Sequence, residues 1–365
     1  MHRTHRNSRR SVVLLGLISA LYGLAACSAP NAFGPGASRT TSMTSQRPAD
    51  VAAQITSPLG VQRTFLWSDE FVPVIDSDGR AYIDRNKWNT TYNTGWGPFL
   101  RAYGDTGGFH RWVDKDYKPA GISDAQVLNP FSFPEPGVLR ISSWPVPPGP
   151  VLNAYSGDSV PPENRMSDRA RFATGLLASD SKFHYRFGYI EARIRVPGKR
   201  GTWPAFWMMS IDPSIPIPPK WGTTEREHEM AKQMASKARP QMPEFDIMEY
   251  LGHVPARFTT AIHSVEYDHL DYHTPGPNLD GAWHTYGFDW SPTDWAFTFD
   301  GKIVQQGKAF PSFAIDHYPI LCMQIGGDWY KNEMLSMFGK AVNGWEVDDA
   351  SMPWQMDVDY VRVWQ

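Results

Sequence analysis

Cysteine is nearly missing from this chain. Its 365 residues hold two, Cys27 and Cys322. Cys27 falls at the end of an N-terminal leader, so no intramolecular disulfide can brace the fold. Cys322 stands alone in PILCMQI; with no neighbouring His to activate it, it reads as a small buried apolar residue. A positive charge excess is also lacking: 35 Lys and Arg face 38 Asp and Glu, a net charge of −3, or −7 once the four leader arginines are set aside. That balance argues against a nucleic-acid partner or a polybasic membrane patch. No P-loop, no G-x-G-x-x-G, no G-x-S-x-G and no internal repeat is present. His228-Glu229 opens an H-E-x-x-H pattern, but position 232 is Lys, which removes the zinc-protease reading.

Helix-forming stretches are scarce too. Only residues 224–239, TEREHEMAKQMASKAR, read as a helix, with a Thr224/Glu227 capping box, acids at the start and bases at the end. They lie in an insert, residues 211–241, between two strands. Against this scarcity stand 15 Trp, 30 Gly and 31 Pro, a composition of many turns and aromatic strands. Residues 188–197, GYIEARIRVP, alternate cleanly. Ile190, Ala192, Ile194 and Val196 share one face, and Tyr189, Glu191, Arg193 and Arg195 share the other. Asp300-Gly301 between two alternating runs predicts a two-residue hairpin turn. These patterns predict an all-β fold, an antiparallel sandwich.

No long apolar run suits a membrane span. The run at residues 12–26 follows Arg3, Arg6, Arg9 and Arg10 and is too short, the pattern of a signal peptide. It ends Leu24-Ala25-Ala26-Cys27, which resembles a bacterial lipobox. That resemblance implies lipidation of Cys27, export, and a membrane anchor facing the periplasm or in the outer membrane. Residues 27–57 are expected to be a flexible tether, and residues 58–365 a single folded domain.

The chain is organised around residues 243–252, PEFDIMEYLG. Glu244, Asp246 and Glu249 sit within six residues among strand-forming apolar side chains. Carboxylates in such a strand are costly unless paired or used. In a regular strand Glu244 and Asp246 share a face and Glu249 points away. One extra residue at Ile247–Met248, a β-bulge, returns Glu249 to the shared face. The glutamates are then about 13 Å apart along the backbone at ~3.3 Å per residue. Side chains leaning together over Asp246 bring the carboxyls to about 5–6 Å, near the ~5–5.5 Å of retaining glycosidases. Taken alone, E-x-D-x-x-E fits a metal site or a solvated strand face better than a catalytic pair.

Several separated segments decide between these readings. LWSDEF, KFHYRFGYIEARIRVPGKRGTWPAFWMM, EFDIMEYLG, DGAWHTYGFDWSPTDWAFTFDG and MDVDYVRVWQ together resemble glycoside hydrolase family 16, in that family's order, over residues 64–365. The resemblance implies a β-jelly-roll sandwich of two antiparallel sheets with a concave substrate cleft. It implies retaining, endo-acting hydrolysis of a β-linked polysaccharide, with Glu244 as nucleophile, Glu249 as general acid/base and Asp246 between them. Neighbouring negative charge is expected to raise the pKa of Glu249. Trp203 and Trp207 match family positions where aromatics reach the cleft, Trp203 being preferred. His263 is a second candidate, and Arg101, Tyr103 and Trp112 in a long loop, residues 95–121, are further ones. No cofactor is required, although Asp359 matches a position that holds a structural calcium in some members. His269, His273, Asp268 and Asp271 offer a zinc reading, ranked below a loop at the cleft edge. The long loops at 95–121 and 211–241 leave a β-glucan and a bacterial exopolysaccharide equally reasonable as substrate. A transglycosylase and a non-catalytic glucan-binding lipoprotein are the alternatives, and the protein is expected to be a monomer.

Overall fold

The computed structural model describes residues 46–90, 110–115, 128–145, 172–211, 243–326 and 352–365, apart from residues 181, 265 and 277. The expected leader, Cys27 and the helix at 224–239 lie outside the described residues, as do Arg101 and Tyr103. Among the described residues there is no α-helix, only a single 3-10 turn at Pro311–Phe313. The strands run β1 (Gln54–Thr56), β2 (Gln62–Asp69), β3 (Val74–Ile75), β4 (Ala81–Tyr82), β5 (His110–Trp112), β6 (Phe131–Glu135), β7 (Val138–Pro145), β8 (Phe172–Thr174), β9 (Leu176–Ala178), β10 (Gly188–Arg195), β11 (Thr202–Ile211), β12 (Glu244–Glu249), β13 (Phe258–His263), β14 (Asp268–His273), β15 (Trp283–Trp290), β16 (Asp294–Phe299), β17 (Lys302–Lys308), β18 (Asp316–Ile325) and β19 (Trp354–Trp364).

They form two large sheets. The outer sheet follows the order β17-β16-β15-β10-β19-β7-β8-β5, with β2 also on β19, β1 on β2 and β6 on β7. The inner sheet has six strands, β14-β13-β12-β11-β18-β9. Pairing is antiparallel throughout, except that β5 runs parallel to β8. Chain neighbours β9 and β10 fall in different sheets, as do β14 and β15, the wiring of a jelly-roll sandwich.

The alternation of β10 explains its place. Ile190, Ala192 and Ile194 are fully buried between the sheets, while Arg193 and Arg195 face outward and pair with Asp359 and Asp357 from β19. β11, in the middle of the inner sheet, is apolar on both faces and buried along nearly its whole length. The space between the sheets is packed with aromatic rings. Phe245 lies 4.7 Å from Phe288 and 5.1 Å from Phe313, ring centre to ring centre, contacts that add about 0.5–1.5 kcal/mol each beyond area burial. The expected turn at Asp300-Gly301 joins β16 to β17. Both residues have positive φ, +47° and +73°, as a two-residue hairpin turn of this hand requires.

Two boundaries differ from expectation. Residues 54–56, expected as tether, form β1 and pair with residues 62–64. Val51 packs on Tyr189 and Trp364, and the Trp364 indole donates to the Ala52 carbonyl at 3.0 Å. These aromatics on the outer face need an apolar cover, and the segment before β2 supplies it. The stretch DHLDYH, expected as a loop, is the edge strand β14, in unbroken register with β13. Its polar alternation is that of an edge strand half in solvent.

Candidate active site

β12 carries the bulge that its sequence predicts. Against β11, Phe206 is opposite Met248 and Trp207 is opposite Asp246, so Ile247 has no partner of its own. Against β13, Asp246 is opposite Ala261 and Glu249 opposite Thr259, again one residue too many on β12. Strict alternation would point Met248 to the cleft and drive Glu249 into the aromatic core. A buried unpaired carboxylate costs several kcal/mol. The bulge instead buries Ile247 and Met248 together, and Tyr250 after them. Glu244, Asp246 and Glu249 thereby share the concave face.

Register then fixes what surrounds them. Across the inner sheet three rows cross β12. One runs Tyr272, Thr259, Glu249, Ala205, Cys322. The next runs Leu270, Ala261, Asp246, Trp207, Ile320, Ala178. The third runs Asp268, His263, Glu244, Met209, Tyr318. Trp203 and Gln324 stand opposite each other one step beyond the first row. Thus the strands bring together Trp203, Trp207 and His263 with the three carboxylates. Trp112 joins them through an apolar cluster on the same face that includes Trp207, Met209, Tyr318 and Cys322. Burial holds the Cys322 thiol well above its usual pKa, so it is a packing residue there.

The carboxylates occupy different environments. Glu249 is buried, and its Oε1 accepts from the Trp203 indole Nε1–H at 2.9 Å. Its pKa is raised to about 7, chiefly by burial and further by the charge of Glu244, while donation from Trp203, the charge of His263 and the Thr259 hydroxyl pull it down. Asp246 is held well above the usual carboxylate range, by burial first and then by Glu244 and Glu249 beside it, and it is hydrogen-bonded to Glu244. His263 Nε2 lies 3.4 Å from Asp246 Oδ2, and its Nδ1 lies 2.6 Å from Asp268 Oδ1. One carboxyl of the set is therefore poised to carry a proton near neutrality, the arrangement of an acid/base pair of unlike environments.

The side chains behind the two metal readings are engaged with protein partners. Asp359 accepts from the Arg193 guanidinium at 2.6 Å on the outer face, so its charge is already compensated by a cation. On β14, alternation separates Asp268 from His269, Asp271 and His273. His269 pairs with Asp271 at 3.2 Å, His273 Nε2 lies 2.8 Å from the Thr260 hydroxyl, and Asp268 pairs with His263. No group of three His, Cys, Asp or Glu side chains suited to a metal occurs among the described residues. The Asp359 carboxylate is held in an ion pair, and the β14 side chains make separate strand contacts.

Thr259, Gln324, Tyr272 and the cleft-facing role of Asp268 were not singled out in the sequence as parts of a cleft. Gln324, a lone polar residue in the run PILCMQI, carried the clearest signal. The others are legible only once β13 and β14 are known to pair.

A carboxylate trio on the concave face of a jelly-roll sandwich defines the class, a glycoside hydrolase. The model of glycosyl hydrolases family 16 matches residues 165–216 and 230–360, half of the chain, and the chain belongs to that family. It is 25% identical over 322 residues to a β-glucanase of Rhodothermus marinus, covering 82% of this chain and 84% of that protein. It is 23% identical over 265 residues to the endo-1,3-1,4-β-glycanase ExsH of Rhizobium meliloti (strain 1021), covering 72% of this chain but only 46% of that protein. Among solved structures, the endo-β-1,3-glucanase from Pyrococcus furiosus superposes with a TM-score of 0.57 at 21% identity, over 86% of this chain and 98% of that one.

Proposed function

We propose that this protein cleaves internal β-glycosidic bonds of a polysaccharide by a double displacement that retains anomeric configuration. The observation that carries the reading is the bulge in β12, which sets Glu244, Asp246 and Glu249 on one face with Glu249 raised to about 7. Glu244 attacks the anomeric carbon. The bond to the leaving sugar breaks as Glu249 gives its proton to the departing oxygen, leaving a glycosyl ester on Glu244. Glu249, now a carboxylate, takes a proton from water, and the resulting hydroxide displaces Glu244. Asp246, hydrogen-bonded to Glu244, fixes the position and charge of the nucleophile. Trp203 and Trp207 offer indole surface to sugar rings, while the Trp203 N–H orients Glu249.

The names of the relatives, a β-glucanase, an endo-1,3-1,4-β-glycanase and an endo-β-1,3-glucanase, support a β-glucan as the substrate, and a bacterial exopolysaccharide is the other candidate. The leader pattern and Leu24-Ala25-Ala26-Cys27 support export and anchoring by lipid on Cys27, and the mild acidity argues against a nucleic-acid partner. Lipid labelling lost in Cys27→Ser tests the anchor.

The enzymatic reading is tested by release of reducing ends from a panel of β-glucans and bacterial exopolysaccharides, with Glu244→Gln alongside. Release from at least one polymer, at least about 10³-fold slower in the variant, is expected. Retention on polymer without release by either protein overturns it in favour of a binding protein. Products longer than the substrate replace hydrolysis by transfer to sugar.

A further inference from the structure

Among the described residues, His263 is the one cleft residue whose two ring nitrogens face carboxylates from two different strands. Nε2 faces Asp246 from β12 at 3.4 Å, and Nδ1 faces Asp268 from β14 at 2.6 Å. The alignment follows from the sheet itself, because Asp268, His263 and Glu244 are direct cross-strand partners in one row. The pair is not a stability device. The side chains of Asp268 and His263 are 75% and 47% exposed, and ion pairs so exposed contribute little to folding. An imidazole hydrogen-bonded through one nitrogen does, however, have its tautomer and ring orientation set at the other.

We infer that Asp268 is a positioning residue for the reaction: by its bond to Nδ1 it holds His263 with Nε2 directed at Asp246. Asp246 in turn is bonded to Glu244 and lies beside Glu249. The chain Asp268–His263–Asp246–Glu244 therefore connects an exposed edge strand to the nucleophile. The described titratable groups facing the imidazole are Glu244, Asp246 and Glu249 on β12 and Asp268 on β14. When Glu244 turns from a carboxylate into a neutral ester, the negative charge that Asp246 must share changes. A fixed imidazole on its outer side gives Asp246 a polar neighbour, 3.4 Å away, that does not depend on Glu244. Nothing in E-x-D-x-x-E demands such a residue, and Asp268 lies 19 positions beyond Glu249 in the chain. The inference rests on the assignment of Glu244 as nucleophile.

The test uses the full chain and four variants: Asp268→Ala, Asp268→Asn, His263→Ala and the double Asp268→Ala/His263→Ala. Asp268→Ala is expected to lower kcat about tenfold with KM nearly unchanged, as loss of orientation without loss of binding does. It should also displace the pH–activity profile. Asp268→Asn, which keeps an acceptor for Nδ1–H, should recover most of kcat. The double variant should be no slower than His263→Ala, because Asp268 acts only through His263. Nitrogen NMR of His263 in the inactive Glu244→Gln background should show a single tautomer that becomes mixed in Asp268→Ala. Additive losses in the double variant, or parental kcat together with an unchanged tautomer in Asp268→Ala, overturn the inference. If no polymer is cleaved, the proposed function fails, and the tautomer measurement still decides whether Asp268 sets His263.

Discussion

The two sheets treat their carboxylates in opposite ways. On the outer sheet Asp289 meets Arg63 at 2.6 Å, with both side chains buried. Asp357 meets Arg140 and Arg195, and Glu70 accepts two bonds from Arg362. On the inner sheet Asp246 and Glu249 meet each other, Glu244, a tryptophan, a threonine and a histidine. The first pattern matches each acid to a fork-shaped cation and asks nothing more of it. The second leaves acids crowded in a dry site, where one must hold a proton near neutrality. The lesson is that charge compensation marks structural carboxylates, and its absence, on the same fold, marks working ones.

Removing one acid from each sheet breaks this contrast most sharply. Asp289→Ala leaves the Arg63 guanidinium buried without its partner, and the Leu59 backbone N–H, which bonds Asp289 Oδ2, loses its acceptor. A loss of about 3–5 kcal/mol is expected in urea denaturation. Glu249→Gln should act in the other direction. Because the folded pKa of Glu249 is raised to about 7, its stabilising protonated form is fully present below about 4.5 and is lost as pH rises through 7. The glutamine keeps the acceptor for Trp203 and cannot ionise. The variant should match the parent in stability at pH 4 and exceed it by up to about 3 kcal/mol at pH 8, while its activity falls about 10²–10⁴-fold. Equal stability of the two proteins at pH 8 would remove the electrostatic distinction between the sheets.

Trp203→Phe sharpens the comparison within the cleft. Trp203 donates to the charged form of Glu249, so its loss should raise the Glu249 pKa and move the alkaline limb of the pH–activity profile to higher pH. A limb moving downward would show that the indole supports the protonated form. The smallest effect belongs to the hairpin at the edge of the outer sheet. A side chain at Gly301 meets nothing within 4 Å, but φ is +73°, so Gly301→Ala should cost about 1 kcal/mol of backbone strain with cleavage unchanged.

Much of the site was legible because strand chemistry is local. EFDIME predicts its own bulge: two consecutive apolar residues between acids can both be buried only if alternation slips. The alternation of GYIEARIRVP placed β10 between the core and an outer face, and the Asp-Gly turn declared its hairpin. Where local reading failed, the missing information was a partner. Nothing near Asp359 in the chain announces Arg193, which pairs with it from β10. DHLDYH looked like a loop because an edge strand in solvent has weak apolar alternation. Residues 54–56 looked like tether because their reason to order lies in Tyr189 and Trp364, far along the chain.

The sequence by itself determined the class of fold, the carboxylate trio and the face they share, since each depends on side-chain alternation within a few residues. Only the tertiary structure decided what those carboxylates touch. The Trp203 bond to Glu249, the row that joins Asp268 and His263 to Glu244, and the guanidinium partners of the outer sheet all depend on register between strands, with partners 5 to 292 residues apart. Register is set by the packing of whole faces against the core, which no short stretch of sequence contains.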